Sequence, residues 1–324
     1  MFSSTHATIV STHVTIAAVS HASPISTFQA IVLGLLQGVT ELFPVSSLGH
    51  TVLFPTLFGW NSLVKAQSNP ESFWLAFVVM LHVGSAVGLL LYFWRDWIAI
   101  VRAFCGSVLR RRIETPVERL AWLIVTASIP TGLLGLALEH PIRVALAKPS
   151  SAAIFLTING VVLLAAERLR RRSDVRVLAL REGVKQDGAL KQDGARELDT
   201  LEYREAVLVG FAQSTALLPG ISRDGMCMTA GLLRGLDNED SARYAFLLAT
   251  PIILAAGAFK FSDLTGPLGA GVRGPAIIAA ACAAVAGYAS VAFLVRYFKT
   301  RNLAPFGIYC LLFGSAMVVY TSVS

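Results

Sequence analysis

The stretch QGVTELFPVSSLGH at residues 37–50 decides the fold, because it places a Pro-Val-Ser-Ser break inside an apolar run that covers residues 28–60. A second apolar run, residues 205–236, is interrupted in the same way by LPGISRDG at residues 218–225. Each run is therefore interpreted as two short helices around a polar break. Because non-helical backbone at membrane depth survives only where protein or a water-filled cavity satisfies it, we predict two re-entrant helical hairpins.

The composition of the whole chain is that of an integral membrane protein. Of its 324 residues, 55% are hydrophobic and 15% charged, with a mean hydropathy of +0.64, whereas soluble domains carry about 25% charged residues. This excludes an ordinary soluble enzyme, a disordered protein and a nucleic-acid-binding module. The net charge of +7 indicates basic loops on the inner side of a membrane rather than a nucleic-acid partner. The four cysteines show no CxxC or His-paired spacing, so neither a zinc site nor a disulfide framework is indicated.

Six further segments are apolar enough to cross a bilayer, which takes about 20 residues. We predict spans at residues 71–94, 118–139, 151–168, 241–261, 275–295 and 304–320. In the first of them, His82 is interpreted as a hydrogen-bonding residue between helices, and Gly84, Ser85 and Gly88 as close helix contacts. The predicted fold class is an all-α integral membrane protein with about six transmembrane helices plus two re-entrant helical hairpins.

An internal repeat relates the two hairpins. Residues 30–37 (AIVLGLLQ) align with residues 206–213 (AVLVGFAQ), and Ser47 then aligns with Ser222 after a one-residue gap. An odd number of spans separates the hairpins, so the repeat has inverted topology, as in many transporters. Convergent apolar composition is the alternative explanation of the match. The chain divides into a poorly ordered leader at 1–26, a first repeat at 27–170, a polar cytoplasmic loop at 171–204 and a second repeat at 205–324.

Loop charges orient the chain. Basic residues concentrate at 95–119 and 168–204 and recur at 296–301, whereas the connections at 139–150 and 262–274 contain fewer. The positive-inside rule places the basic segments in the cytoplasm. Both termini then lie outside, the first hairpin enters from outside and the second from inside. We expect a multi-pass protein of the cell (inner) membrane.

The two breaks contain ionisable groups, which are costly inside a bilayer and are functional candidates for that reason. The first break is flanked by Glu41 and His50, and the second contains Arg223. Inverted hairpins bring their tips together near the membrane midplane. Serines occupy the N-cap positions that follow the breaks: Ser46 or Ser47, and Ser222. Helix N-termini and a guanidinium form an anion site, suited above all to phosphate.

Both breaks resemble signatures of the bacterial undecaprenyl-diphosphate phosphatases, the bacitracin-resistance membrane proteins. Residues 37–50 resemble (E/Q)xxxE followed by PVSSxGH, and residues 219–225 resemble PGxSRSG. The resemblance covers residue 28 to about the C-terminus. It implies hydrolysis of undecaprenyl diphosphate to undecaprenyl phosphate and inorganic phosphate on the outer face of the membrane. This reaction recycles the lipid carrier of peptidoglycan synthesis and confers bacitracin resistance.

The resemblance also implies roles for individual residues. The catalytic residues are Glu41, Ser47, His50 and Arg223, with Arg223 as a bidentate phosphate clamp. The nucleophile stays open between His50, Ser47 and water. Residues implied in substrate binding are Gln37, Ser46, Gly220, Ser222 and Asp224. The residues alone leave structural alternatives, in which Glu41 only pairs with Arg223 and the serines only cap helices.

A divalent cation, Mg²⁺ or Ca²⁺, is the implied cofactor, with Glu41 as a ligand because hard cations prefer oxygen. The chain departs from the commonest family pattern at three positions: Gln37 replaces a glutamate, Asp224 a serine and Cys227 a threonine. We hypothesise that Asp224 is a second metal ligand, which compensates for the carboxylate missing at position 37. The alternative is that Asp224 only pairs with Arg223 or stabilises a helix N-terminus.

The implied partners are a polyprenyl diphosphate lipid and the bilayer, with no nucleic acid, and a homodimer stays open. Two other functions also stay open. One is a polyprenyl-phosphate transporter or flippase, because inverted repeats and broken helices occur in transporters. The other is a lipid-diphosphate binder without turnover, given the three departures. The combination of Glu41, His50 and Arg223 favours hydrolysis, because a pure transporter needs the arginine but not the carboxylate and imidazole.

Overall fold

A computed structural model describes residues 24–67, 73–182, 196, 198–260, 266 and 271–323. The described residues do not include positions 1–23 of the predicted leader. They also do not include positions 183–195 and 197 of the predicted polar loop. The described residues form α-helices and no β-strand. The helices are α1 (Thr27–Leu42), α2 (Ser47–Leu57), α3 (Asn61–Gln67), α4 (Trp74–Tyr92), α5 (Trp94–Arg110), α6 (Pro116–Leu146), α7 (Pro149–Glu182), α8 (Tyr203–Ser214), α9 (Arg223–Leu233), α10 (Asn238–Phe259), α11 (Arg273–Tyr297) and α12 (Ala304–Val323).

Six of these helices are long and apolar enough to cross a membrane: α4, α6, α7, α10, α11 and α12. Each coincides with one of the predicted spans, so the all-α membrane fold is confirmed. Helix α7 continues to Glu182, beyond the span predicted at residues 151–168 and into the segment predicted as a polar loop. A helix can extend past the apolar region because its backbone hydrogen bonds are internal at any depth.

The two apolar runs break where the sequence predicts. Helix α1 ends at Leu42 and α2 begins at Ser47, while a 3₁₀ turn over Thr215–Leu217 separates α8 from α9. The arms of each pair contact each other. Arms of 11 to 16 residues are about 16–24 Å long, which is less than the roughly 30 Å of a bilayer core. The return of each hairpin to the membrane face from which it starts stays a prediction.

The helix caps correct the register of the repeat. The Ser46 hydroxyl accepts a hydrogen bond from the Gly49 N–H (3.2 Å), and the Ser222 hydroxyl accepts one from the Gly225 N–H (3.1 Å). Ser222 is therefore the structural counterpart of Ser46, and the alignment with Ser47 is wrong by one position. With Ser46 and Ser222 paired, the alignment needs no gap, because each serine lies nine positions after its glutamine, Gln37 or Gln213. Ser46 has a φ of 70°, a strained value for a residue with a side chain.

The helix packing supports the internal repeat. Helix α1 packs on α11, and its counterpart α8 packs on α6, so each hairpin contacts the middle span of the other repeat. The first span of each repeat also packs on the middle span of the other repeat: α4 contacts α11, and α10 contacts α6. The third spans, α7 and α12, pack on each other. The two repeats therefore interlock.

Glycines allow this close packing at equivalent positions. A Cβ on Gly34 of α1 would overlap the carbonyl oxygen of Ala279 in α11, and a Cβ on Gly210 of α8 would overlap that of Ala127 in α6. A Cβ on Gly84 of α4 would likewise overlap a carbonyl oxygen of α11, which confirms the predicted helix contact. Lipid tails are as apolar as the helix surfaces, so no hydrophobic effect drives the helices together. Close backbone packing is then a main source of helix association.

The basic segment at residues 95–119 contains a helix, α5, that the sequence analysis treated as a loop. It packs along α6, where the Trp122 indole N–H donates a hydrogen bond to the Ser107 hydroxyl (2.9 Å). Near its start, Asp96 pairs with Arg243 in the first turns of α10 (2.6 Å). Helix α5 is thus tied to the beginnings of two spans.

Replacement of Gly34 by alanine should separate α1 from α11. We expect Gly34→Ala to lower the melting temperature of the detergent-solubilised protein, because overpacking a close contact costs about 1–3 kcal/mol. Gly135→Ala is the matched control, since a Cβ at Gly135 meets no atom within 4 Å. This control should be neutral or slightly stabilising. Equal melting temperatures for the two variants would contradict the packing described.

Candidate functional site

The carboxylate of Glu41, in the last turn of α1, is the centre of the site. Glu41 is buried, with 5% of its surface exposed. Its Oε1 receives a hydrogen bond from the Arg223 guanidinium of the other hairpin. Its Oε2 is contacted by three side chains: the Ser47 hydroxyl, Gln37 Nε2 (2.9 Å) and His82 Nε2 (3.3 Å). The structure therefore joins groups from both hairpins and from α4.

Gln37 lies one helical turn before Glu41, so the two side chains share the inner face of α1. Its amide N–H₂ donates to Glu41, while its Oε1 is buried and has no hydrogen-bond partner among the described residues. An unsatisfied buried acceptor is costly, typically by about 1–3 kcal/mol. The free oxygen is therefore available to a donor group on a bound ligand or to water.

Asn159 of α7 holds the two breaks together. Its Nδ2 donates to the Pro44 carbonyl oxygen (3.1 Å), and its Oδ1 accepts from the Ser222 N–H (3.0 Å). Gly220, with a φ of 111°, brings the second break against Gly49 of the first. The sequence analysis did not identify Asn159. The sequence feature that could have identified Asn159 is an amide side chain inside an apolar span, which indicates a polar contact between helices.

His50 forms a separate polar pair. Its Nδ1 lies 2.7 Å from the Ser46 carbonyl oxygen, so this nitrogen carries a proton, because a carbonyl only accepts. Its Nε2 lies 2.8 Å from the hydroxyl of Tyr309, which donates to it when the imidazole is neutral. The ring also stacks against Phe313, with centroids 5.4 Å apart. No hydrogen bond joins His50 to Glu41 in the described structure.

His82 and Tyr309 are therefore site residues whose contacts the sequence did not reveal. The expectation for His82 was a hydrogen bond between helices, and its Nε2 contacts Glu41 while Nδ1 lies 2.8 Å from the Val78 carbonyl oxygen. Tyr309 lies 259 positions from its partner His50, and no local pattern distinguishes it from other tyrosines. Only the packing of α12 against α2 and α7 identifies it.

The arrangement is suited to an anion. Helices α2 and α9 both begin at the breaks, and the first N–H groups of a helix have no partner within it. Arg223 stands at the first position of α9, and 16% of its side chain is exposed. Helix N-termini beside an arginine are typical of phosphate sites.

Asp224 is the second residue of α9, and its role as a metal ligand stays a prediction. It is buried, it forms no hydrogen bond or ion pair with Glu41 or Gln37, and its Oδ2 has no partner among the described residues. Over the same residues, no group of three or more His, Cys, Asp or Glu side chains is placed to hold a cation. Both Glu41 oxygens are already hydrogen-bonded. A cation bound here would replace donors at Glu41 and use the free Asp224 oxygen, and the Glu41–Asp224 cation site stays a prediction.

The chain was compared with known proteins. The family described as "Bacitracin resistance protein BacA" matches residues 30–316. "Undecaprenyl-diphosphatase 2" of Frankia alni is 51% identical, over 90% of this chain and 96% of the relative. "Undecaprenyl-diphosphatase" of Mycolicibacterium paratuberculosis is also 51% identical, over 91% and 97% of the two chains. The protein of the same name from Acidiphilium cryptum is 41% identical, over 90% and 96%.

Replacement of Asn159 by leucine should loosen the joined breaks. Asn159→Leu leaves the Ser222 N–H without a partner and the Pro44 carbonyl with only the Cys310 thiol at 3.9 Å, and we expect a loss of about 1–3 kcal/mol. Thermal unfolding in detergent measures this loss. Thr157→Val on the same helix is the control, because the Thr157 hydroxyl bonds only within α7. An Asn159→Leu variant as stable as this control would refute the bracing role.

Proposed function

This chain belongs to the bacitracin resistance protein BacA family, and from that membership we propose that it hydrolyses undecaprenyl diphosphate to undecaprenyl phosphate and inorganic phosphate. It thereby recycles the lipid carrier of peptidoglycan synthesis and confers bacitracin resistance. The observation that carries the proposal is the pairing of Ser47 and Arg223 on one buried carboxylate, Glu41, at the meeting point of two helix N-termini.

Arg223 is the phosphate clamp of this proposal. Phosphoryl transfer needs neutralisation of charge on the phosphate oxygens and alignment of the attacking group. The guanidinium offers five N–H donors in a rigid fork, of which one Nη2 bond goes to Glu41. The remaining donors can bind the terminal phosphate, while the α2 and α9 N-termini favour its negative charge.

The geometry favours Ser47 over His50 and water as the nucleophile, with Glu41 as its general base. Ser47 Oγ forms a bond to the terminal phosphorus and passes its proton to Glu41. The bond from that phosphorus to the bridging oxygen breaks, and the prenyl monophosphate leaves. Water then hydrolyses the phosphoserine and releases phosphate. A phosphorylated His50 Nε2 would instead require loss of the hydrogen bond to Tyr309.

His50 is the second proton-handling group in this proposal. Its Nδ1 proton is held by the Ser46 carbonyl, which leaves Nε2 as the nitrogen that exchanges a proton. Tyr309 contacts this nitrogen and is therefore a positioning residue. An imidazole in this position acts as general acid or base in the proposed reaction.

We place the protein in the cell (inner) membrane with the site open to the outer face. The positive-inside rule supports this orientation through the basic segments around α5 and after α7. The prenyl chain of the substrate is apolar and stays in the lipid, so access is lateral between helices. The divalent-cation requirement stays a prediction, and no step above depends on it.

A transporter or flippase of polyprenyl phosphates is the second candidate. The interlocked inverted repeats favour it, because this architecture is frequent in transporters. A transporter has no use for a serine hydroxyl bonded to a buried carboxylate. A binder without turnover is the third candidate, since Asp224 and Cys227 depart from the family pattern. Both rivals predict no phosphate release.

Release of phosphate from a long-chain polyprenyl diphosphate in detergent, with and without EDTA, tests the proposed activity. We expect Arg223→Lys to keep the fold and to lose most of the release, because an ammonium lacks the planar fork of arginine. Arg243→Lys is the matched control, since Arg243 pairs with Asp96 at the surface. The absence of release by the wild-type protein in both buffers would reject hydrolysis. Unchanged turnover in Arg223→Lys would reject the clamp.

Removal of the His50 imidazole should lower kcat on the order of 100-fold while lipid binding persists, because proton transfer acts in the transition state. Tyr309→Phe should give a smaller loss and a shifted pH profile, since only the position of the ring changes. The measurements are kcat against pH and the affinity for the substrate lipid. If His50→Ala weakens binding as strongly as turnover, His50 is a binding residue. An unchanged pH profile in Tyr309→Phe would argue against the positioning role.

A further inference from the structure

Helix α5 carries an exposed apolar row that no described residue covers. Successive residues of a helix lie about 100° apart, so positions 94, 98, 101, 108 and 109 fall on one side of α5. These residues are 42% to 84% exposed: Trp94, Ile98, Val101, Val108 and Leu109. A different side, which includes Ile100 and Ser107, is buried against α6. The row is therefore not part of the protein core.

Two arginines border this row. Arg95 and Arg102 are two helical turns apart, both are exposed, and they lie between the apolar row and the remaining surface of α5. Together with Trp94, Ile98 and Ala99 they line a shallow, open groove on the surface of α5. The Arg95 guanidinium lies 5.1 Å from the Trp94 ring centroid. Over the described residues, neither arginine pairs with a carboxylate.

The position of α5 determines which side of it faces lipid. The helix starts two residues after the end of the α4 span, and it is tied to the first turns of α6 and α10. It therefore contacts the end of one span and the beginnings of two others, all of which lie on the predicted cytoplasmic side. A helix in this position directs its apolar row towards the acyl chains and extends its arginines to the level of the phosphates.

We propose that the groove between Arg95 and Arg102 binds the headgroup of an acidic phospholipid, whose acyl chains contact the apolar row of α5. Charge complementarity favours this occupant over a zwitterionic lipid, because two unpaired guanidinium groups face the same groove. The apolar row favours a lipid over a soluble anion. The site shares no residue with the candidate active site, so it is independent of the proposed hydrolysis.

Native mass spectrometry of the detergent-solubilised full chain tests this site, with phosphatidylglycerol and phosphatidylcholine as the added lipids. We expect preferential retention of phosphatidylglycerol by the wild-type protein. The double variant Arg95→Gln/Arg102→Gln should bind it on the order of tenfold more weakly, since each basic contact to an anionic lipid contributes modestly. Arg112→Gln/Arg301→Gln removes the same charge from exposed positions outside the groove and should retain binding.

Two outcomes would overturn the proposal. Equal loss of phosphatidylglycerol in both double variants would mean that the overall positive charge attracts the lipid and that the groove does not. Equal retention of the two lipids by the wild-type protein would mean that the groove does not select an acidic headgroup. Phosphate release by the Arg95→Gln/Arg102→Gln variant, measured in detergent without added phospholipid, should match the wild-type value, which confirms that the variant is folded.

Discussion

The ion pair between Glu41 and Arg223 is the interaction on which the rest of the structure depends. It joins the two hairpins at their tips, and both charges are withdrawn from water. Burial of an ion costs several kcal/mol, which is recovered only when further hydrogen bonds satisfy the pair. Ser47 and Gln37 supply such bonds to the carboxylate. The same requirement that stabilises the junction therefore brings the proposed nucleophile, base and phosphate-binding cation together in one place.

The surrounding frame is symmetric, but the chemistry is not. Equivalent glycines, Gly34 and Gly210, bring each hairpin against a span of the other repeat. At the tips the two copies diverge, because the first carries Glu41 and the second carries Arg223. Gln213, the repeat counterpart of Gln37, contacts the Cys227 thiol (3.4 Å) and no carboxylate. The two broken helix pairs thus share one kind of packing, and the different side chains at their tips make the pairs complementary.

Polar contacts between distant segments hold this asymmetric site in shape. Asn159 satisfies backbone groups of both breaks, which would otherwise be unpaired at membrane depth. Tyr309 plays a similar part for His50. Helix α5 contacts the ends of spans and presents an apolar row beside arginines. The proposed substrate is thus a lipid, and we expect lipid also to surround the exposed apolar side chains of the protein.

The amino-acid sequence alone determined the membrane class, the six spans, the two broken runs and the identity of Glu41, Ser47, His50 and Arg223 as candidates. These depend on local composition and on residues close together in the chain, so a linear pattern contains them. The register of the repeat, the helical form of α5, and the contacts of His82, Asn159 and Tyr309 appeared only in the tertiary structure. They depend on which helices pack together and on which buried polar atoms then lack partners. The hydrogen-bond donors around Glu41 are likewise visible only in the packed structure, whereas the cation between Glu41 and Asp224 stays a prediction from the sequence.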